Sequence, residues 1–172
     1  MNYPIRKNIR LPNYDYSSNN AYFITICTYN RSILFDGFID NNKTPNDSSA
    51  EYIIVKWLHE LEKKYLNLTL DMFVIMPDHI HFIIFNRGTF DQKTGAHVGA
   101  PLHEIVKWYK TQTTNEYIRY VKHGILPAFD KHIWQRGYYE HIIRNDQEYY
   151  DICRYISENP MKWYHEHQIQ EE

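Results

Sequence analysis

The sequence predicts an α+β fold, in which an antiparallel sheet of four strands carries two helices on one face and gains a further helix at the C-terminal end. Three observations predict it. Apolar, β-branched and aromatic residues gather in strand-length runs at 21–30, 68–76, 79–86 and 133–144. Two other segments, 50–66 and 102–121, instead carry apolar residues three and four apart, the period of a helix. The resulting order, β, α, β, β, α, β and a final α, is that of two βαβ-type halves around one sheet, a ferredoxin-like or RRM-like βαββαβ arrangement. Such a sheet leaves its second face free for a ligand or for the added helix.

The elements follow in order. Residues 1–20, ending "NYDYSSNN", are polar and rich in turn formers, an arm before the domain expected over 21–163. "AYFITICTYN" (21–30) is the first strand. In "DNNKTPNDSS" (40–49), Ser48 or Ser49 can cap the next helix, where Ile53, Ile54, Trp57, Leu58, Leu61 and Tyr65 form one apolar side. "LTLDMFVIM" (68–76) and "HIHFIIFN" (79–86) are strands separated by a tight break at Pro77–Asp78. "RGTFDQKTGAHVGAP" (87–101) has no periodicity and is expected as an excursion. The second helix spans about Leu102 to Val121, with Ile105, Val106, Trp108, Tyr109, Tyr117, Ile118 and Val121 as its apolar positions. "IWQRGYYEHIIR" (133–144) is the fourth strand, bent at Gly137. Asn145 or Asp146 then caps "QEYYDICRYISENP", which proline stops near Pro160, and a polar tail occupies 164–172.

With 172 residues the chain makes one domain with a proper core. Cys27 and Cys153 stand far apart without metal-type spacing or a disulfide framework, and no apolar run approaches the roughly 20 residues of a membrane span. The polar N-terminus lacks a signal-peptide core, so the expected compartment is the cytoplasm. The 16 tyrosines supply flat faces with a polar tip, suited to stacking on planar ligands. Net charge is −2, but it is unevenly spread: Arg6, Lys7, Arg10 and Arg31 face a single Asp15 in residues 1–35. Residues 101–144 hold seven basic against four acidic side chains, including Lys107, Lys110 and Arg136. Two basic patches suit a local phosphate footprint, and they equally suit an ordinary solvated surface.

The chemistry-bearing residues begin with "MPDHIHFII". In a strand alternate side chains share a face, so His79 and His81 point together while Ile80 points opposite. Two imidazoles on one face can grip a divalent cation. A second His-x-His in the tail, His165 and His167, shows that the pattern alone equally fits a structural pair. Tyr155 and Asn159, four apart, share one side of the last helix; a rim tyrosine and a helix-stopping asparagine are the plainer explanation. Tyr138, Tyr139, Tyr149 and Tyr150 are competing phenols, and His141 best fits a satisfied structural histidine. Trp134, Gln135 and Arg136 suit stacking on or clamping of DNA, although Trp134 suits the core equally. Lys107 and Lys110 share a helix side and suit phosphate contacts or a solvated face. His97 in "GAHVGAP" suits either a hairpin-recognising loop or plain exposure.

"MPDHIHFII", "IWQRGYYEHIIRN" and "RYISENP", in this order and spacing, resemble the HUH single-tyrosine transposases of the smallest insertion sequences, and most of all the REP-associated tyrosine transposases. "RKNIRLPNYDY", "AYFITICTYNR" and "GAHVGAPL" extend the likeness over most of residues 5–163. The resemblance implies that His79 and His81 are the HUH pair, Tyr155 the nucleophile and Asn159 the third ligand of a Mg²⁺ or Mn²⁺ ion. It further implies single-stranded DNA bearing a hairpin, REP-like or a transposon end, as partner of a monomer or homodimer. The reaction implied is cleavage through a covalent 5′-phosphotyrosine. A noncatalytic nucleic-acid-binding module on the same layout is the alternative from a different class.

Overall fold

Alternation along four strands builds both sides of the sheet. The computed structural model describes residues 20–91, 96–98 and 100–168, without the side chains of 89–91, 96–98 and 167–168. Strand β1 spans Asn20–Cys27, β2 Ile39–Asp40, β3 Leu68–Met76, β4 His79–Asn86, and β7 Tyr139–Ile143. They form one antiparallel sheet in the order β2-β3-β4-β1-β7. Without β2, that is the ferredoxin-like order. β5 (Thr89–Asp91) and β6 (Ala96–Val98) pair in a separate hairpin inside the segment expected to lack periodicity.

Helices α1 (Ala50–Lys64) and α2 (Leu102–Lys122) cover one face. Tyr22, Ile24 and Ile26 of β1 and Ile80, Phe82 and Ile84 of β4 meet Ile53, Leu58, Ile105 and Tyr109 of the helices there. Ser49 caps α1 by accepting from the Tyr52 N–H at 3.2 Å. The helices are also tied through buried Glu116, which accepts from Lys56 Nζ at 2.7 Å and from the Trp57 indole.

Helix α3 (Asp146–Gln168) covers the opposite face. Its stripe Tyr149, Ile152, Cys153, Ile156 and Trp163 packs with Phe23, Val74, Met76, Ile83 and Ile143 of the sheet. Asn145 caps it, Oδ1 accepting from the Glu148 N–H at 2.9 Å. Two expectations need correction here. α3 does not stop near Pro160 but carries the proline inside it and runs through the start of the expected tail. Pro160 lacks the N–H for a bond to the fourth residue back, yet Trp163 beyond it still packs edge-on against Phe38, with ring centroids 5.6 Å apart. The fourth strand is only Tyr139–Ile143; residues before it form loop, apart from a bridge between Thr28 and Trp134. The two-residue edge strand β2 is too short for alternation to reveal.

Candidate active site

Two turns are laced together where β1 ends and β4 begins. The Thr28 N–H and hydroxyl both donate to the Asp78 carbonyl, each at 2.9 Å, and Leu34 and Phe35 donate to the Pro77 carbonyl. This fixes the Pro77–Asp78 turn and hence the start of β4. His79 and His81 emerge on the α3 face, both buried, because their neighbours Ile80 and Phe82 belong to the other face. His81 is cross-strand from Thr25, and His79 from Cys27.

The two rings are held from behind. His79 Nδ1 lies 2.6 Å from Asp78 Oδ1, so it carries the proton and donates to the carboxylate. Arg31 Nε reaches the other Asp78 oxygen at 3.0 Å. Burial works to raise the Asp78 pKa, but the hydrogen bond and charge of His79 together with Arg31 outweigh it and hold the carboxyl below its ordinary value. His81 Nδ1 lies 2.7 Å from the Thr25 hydroxyl. Burial, then the charges of His79 and Arg31, push His81 down to about 3, so it is neutral at physiological pH.

The Nε2 atoms of the two histidines meet at 3.0 Å. A threonine hydroxyl both donates and accepts, so His81 can switch tautomer and keep its Thr25 bond. The switch leaves an unprotonated Nε2 on each ring. Two nitrogens at 90° around an octahedral cation, with bonds of about 2.1 Å, stand about 3.0 Å apart. The separation of the donor pair therefore matches that of two nitrogens on one divalent ion. Among the described residues no group of three or more His, Cys, Asp or Glu could hold a metal.

Helix α3 supplies the rest. Tyr155 stands at the edge of its packed stripe, 43% exposed, with its ring 5.3 Å from His81 and 5.9 Å from Phe23, edge-on to the latter. Phe23 in turn stacks on His81 at 5.3 Å. Asn159, one turn on, is buried, and its Nδ2 has no hydrogen-bond partner. A half-turn of that amide exchanges its nitrogen and oxygen, and Asn159 lines a cleft with His79, Tyr155, Asp78 and Arg31. Tyr155 also lines a cleft of about 790 Å³ with Phe23, Thr25, His79, His81, Tyr139 and His141.

The competing phenols are placed differently. Tyr149 donates to Asp71 at 2.7 Å, and that hydrogen bond, with burial, raises its pKa well above the ordinary value. Tyr150 is exposed, and its ring contacts Tyr149. Tyr139 lines the large cleft. His141 also lines that cleft while bonded to Glu148 at 2.7 Å, so it is satisfied and yet faces solvent chemistry.

Two of the residues suited to DNA contact have partners within the protein. Trp134 is buried, 6% exposed, its indole donating to Thr113 Oγ1 at 2.9 Å and its ring beside Phe35 and Tyr109. It is core, because the bridge to Thr28 turns it under the sheet. Trp134→Phe should lower unfolding free energy by about 1–2 kcal/mol through lost volume and a lost hydrogen bond, measured by denaturant titration. DNA affinity should not change. Lys110 is turned onto the backbone, donating to Gln135 O at 2.9 Å and Gly137 O at 2.7 Å. Burial pushes its ammonium down to about 8, so it is charged at neutral pH. Lys110→Met should cost about 1–3 kcal/mol, because the two carbonyls lose a charged donor; the same titration checks it. Lys107 is exposed beside Glu104, Arg136 is exposed, and Gln135 is half-buried, its N–H donating to Cys27 O at 2.9 Å. Arg6, Lys7 and Arg10 lie outside the described residues, as does the side chain of His97.

Sequence reasoning missed Phe23, Thr25 and Asp78, and it counted Arg31 only as charge. The register of β1 against β4 brings the first two to His81, and no local pattern announces that pairing.

Comparison with known proteins gives one family over most of the chain. Residues 16–159 match the family of IS200-like transposases. An uncharacterized protein of Haemophilus influenzae (strain ATCC 51907 / DSM 11121 / KW20 / Rd) is 34% identical over 163 residues, covering 92% of this chain and 89% of its own. A REP-associated tyrosine transposase, solved bound to a REP hairpin, shares the fold with a TM-score of 0.60 at 19% identity, over 89% of this chain and 73% of that one. A transposase-like protein of Deinococcus radiodurans matches at a TM-score of 0.47 and 19% identity, over 86% of this chain and 95% of its own.

Proposed function

The chain belongs to the IS200-like transposase family, and from that premise we propose that it cuts and rejoins single-stranded DNA beside a hairpin, with Tyr155 as nucleophile. The observation that carries the proposal is the Tyr155 ring against His81, whose Nε2 pairs with that of His79, with all three residues lining an open cleft. The hairpin is adopted from the REP-bound neighbour.

In the reaction Tyr155 Oη attacks the scissile phosphorus. The P–O3′ bond breaks, leaving a 5′-phosphotyrosine and a free 3′-hydroxyl that takes up a proton as the phenol gives one up. The covalent ester keeps the bond energy, so attack by a 3′-hydroxyl can reverse the step without a nucleotide cofactor. His79 and His81 would hold a Mg²⁺ or Mn²⁺ ion through Nε2, with the Asn159 amide oxygen as third ligand. Such an ion withdraws charge from a bound phosphate and orients it. Asp78 and Thr25 keep the imidazoles aimed, the usual task of outer partners. Phe23 supports the Tyr155 ring and leaves its exposed part toward the cleft. Because α3 packs on its own sheet, the proposed site is completed within one chain, for monomer and homodimer alike. Lys107, Gln135 and Arg136, with Arg6, Lys7 and Arg10 of the arm, are proposed contacts to the rest of the DNA.

The test uses a labelled hairpin oligonucleotide with single-stranded flanks, incubated with Mn²⁺. A protein–DNA adduct that survives denaturant supports the reading. Tight hairpin binding with no adduct on any flank sequence would return the chain to the noncatalytic module.

A further inference from the structure

We propose that Arg31 binds the scissile phosphate, held beside Tyr155 by Asp78; this rests on the reading above. Three observations lead to it. The first is strain: Asn30 and Arg31 are consecutive non-glycine residues in the left-handed region, at φ 53° and 57°. Such conformations cost free energy and persist where the surroundings impose them. Here the surroundings are a short turn, Tyr29–Arg31, tied by the Thr28 hydroxyl to the Ser32 carbonyl at 2.8 Å and to Asp78.

The second is the fork. Arg31 Nε engages Asp78 Oδ2 at 3.0 Å and Nη1 donates to Cys27 Sγ at 3.0 Å. A guanidinium has five N–H donors, so most of them remain for an anion. The side chain is nevertheless 51% exposed, held at one edge and open at the other. Planar, fixed forks suit phosphate oxygens better than a mobile ammonium does.

The third is place. Arg31 lines both clefts together with His79 and Tyr155, the large one also with His81 and Thr25 and the smaller one with Asn159. A phosphate bound in either cleft therefore meets a wall that contains both Tyr155 and Arg31. Lys162, the other cation beside Tyr155, is 5.8 Å from its ring centroid and paired with Glu158 at 2.9 Å. It lines only the smaller cleft.

The experiment scans one neutral methylphosphonate linkage through the single-stranded flank of the hairpin oligonucleotide, measuring affinity in EDTA with the full-length chain. Wild type should lose about tenfold or more at the linkage that is cut, the scale of a charge-assisted hydrogen bond. In Arg31→Gln, whose amide can still bond Asp78, that same modification should cost less than about twofold while penalties elsewhere persist. Arg31→Lys should keep the penalty at reduced overall affinity, and both variants should melt close to wild type. If Arg31→Gln retains the full penalty, or if the penalty falls at a linkage away from the cut, the contact is overturned. A chain that forms the Tyr155 adduct yet retains the penalty loses only this contact. A chain that binds none of these DNAs loses the proposed function with it.

Discussion

Tyr155→Phe is expected to abolish the denaturant-resistant DNA adduct while leaving hairpin affinity within about threefold of wild type. The change removes one oxygen and keeps the ring that packs on Phe23 and His81. Tyr155 is 43% exposed, so its hydroxyl contributes little to folding, and a surface change of this kind stays within about 0.5 kcal/mol. With no other phenol among the described residues in ring contact with His81 to take over, the cleavage rate should fall by at least about a thousandfold, the loss typical of removing an essential nucleophile. Quantifying adduct by denaturing electrophoresis, beside a binding isotherm, checks both halves. Adduct persisting in Tyr155→Phe would move the nucleophile to another residue, and Tyr139, which lines the same cleft, would be tested next.

His81→Ala carries the second large effect. His81 supplies one Nε2 of the 3.0 Å pair, and a lone imidazole with an amide grips a divalent ion far more weakly. Mn²⁺ affinity, followed by the paramagnetic signal of the free ion, should fall at least about 100-fold, beyond the 10–100-fold that losing an outer partner costs. Cleavage should fall with it and recover in part at high Mn²⁺. Removing the ring also leaves the Thr25 hydroxyl without its 2.7 Å partner and Phe23 without its stacked neighbour. Some loss of stability therefore accompanies the change, and metal affinity must be compared below the melting transition. Unchanged Mn²⁺ binding in His81→Ala would remove the histidine pair from the proposed metal site.

These variants are drawn from residues whose relations are partly local and partly not. That His79 and His81 share a face follows from strand alternation, and that Tyr155 and Asn159 share a side follows from the helix repeat. Both relations are set by backbone geometry within a few residues, so composition and spacing reveal them. The βαββαβ order was legible for the same reason, since each element is long enough to display its period. The ends were less legible. Trp163 against Phe38 carries α3 through Pro160, and a contact between residues so distant leaves no local trace.

Other decisions belonged to the tertiary structure. No periodicity states which face of a sheet a last helix will cover. Phe23, Val74, Met76, Ile83 and Ile143 leave an apolar surface opposite α1 and α2, and the α3 stripe buries it; that burial, at roughly 25 cal/mol per Å² of apolar area, is what sets Tyr155 against His81. Trp134 is buried beside its bridge to Thr28, and Lys110 of α2 bonds the carbonyls of Gln135 and Gly137 in the loop that follows it. Arg31 reaches Asp78 because two turns, 46 residues apart in sequence at Thr28–Arg31 and Pro77–Asp78, roughly, are bonded to each other. The sequence by itself determined which of the four candidate residues share a face, since dihedral geometry acts locally, and its resemblance to the family singled those four out. Their convergence into one site, and the arginine beside it, were decided by long-range burial and by hydrogen bonds between turns.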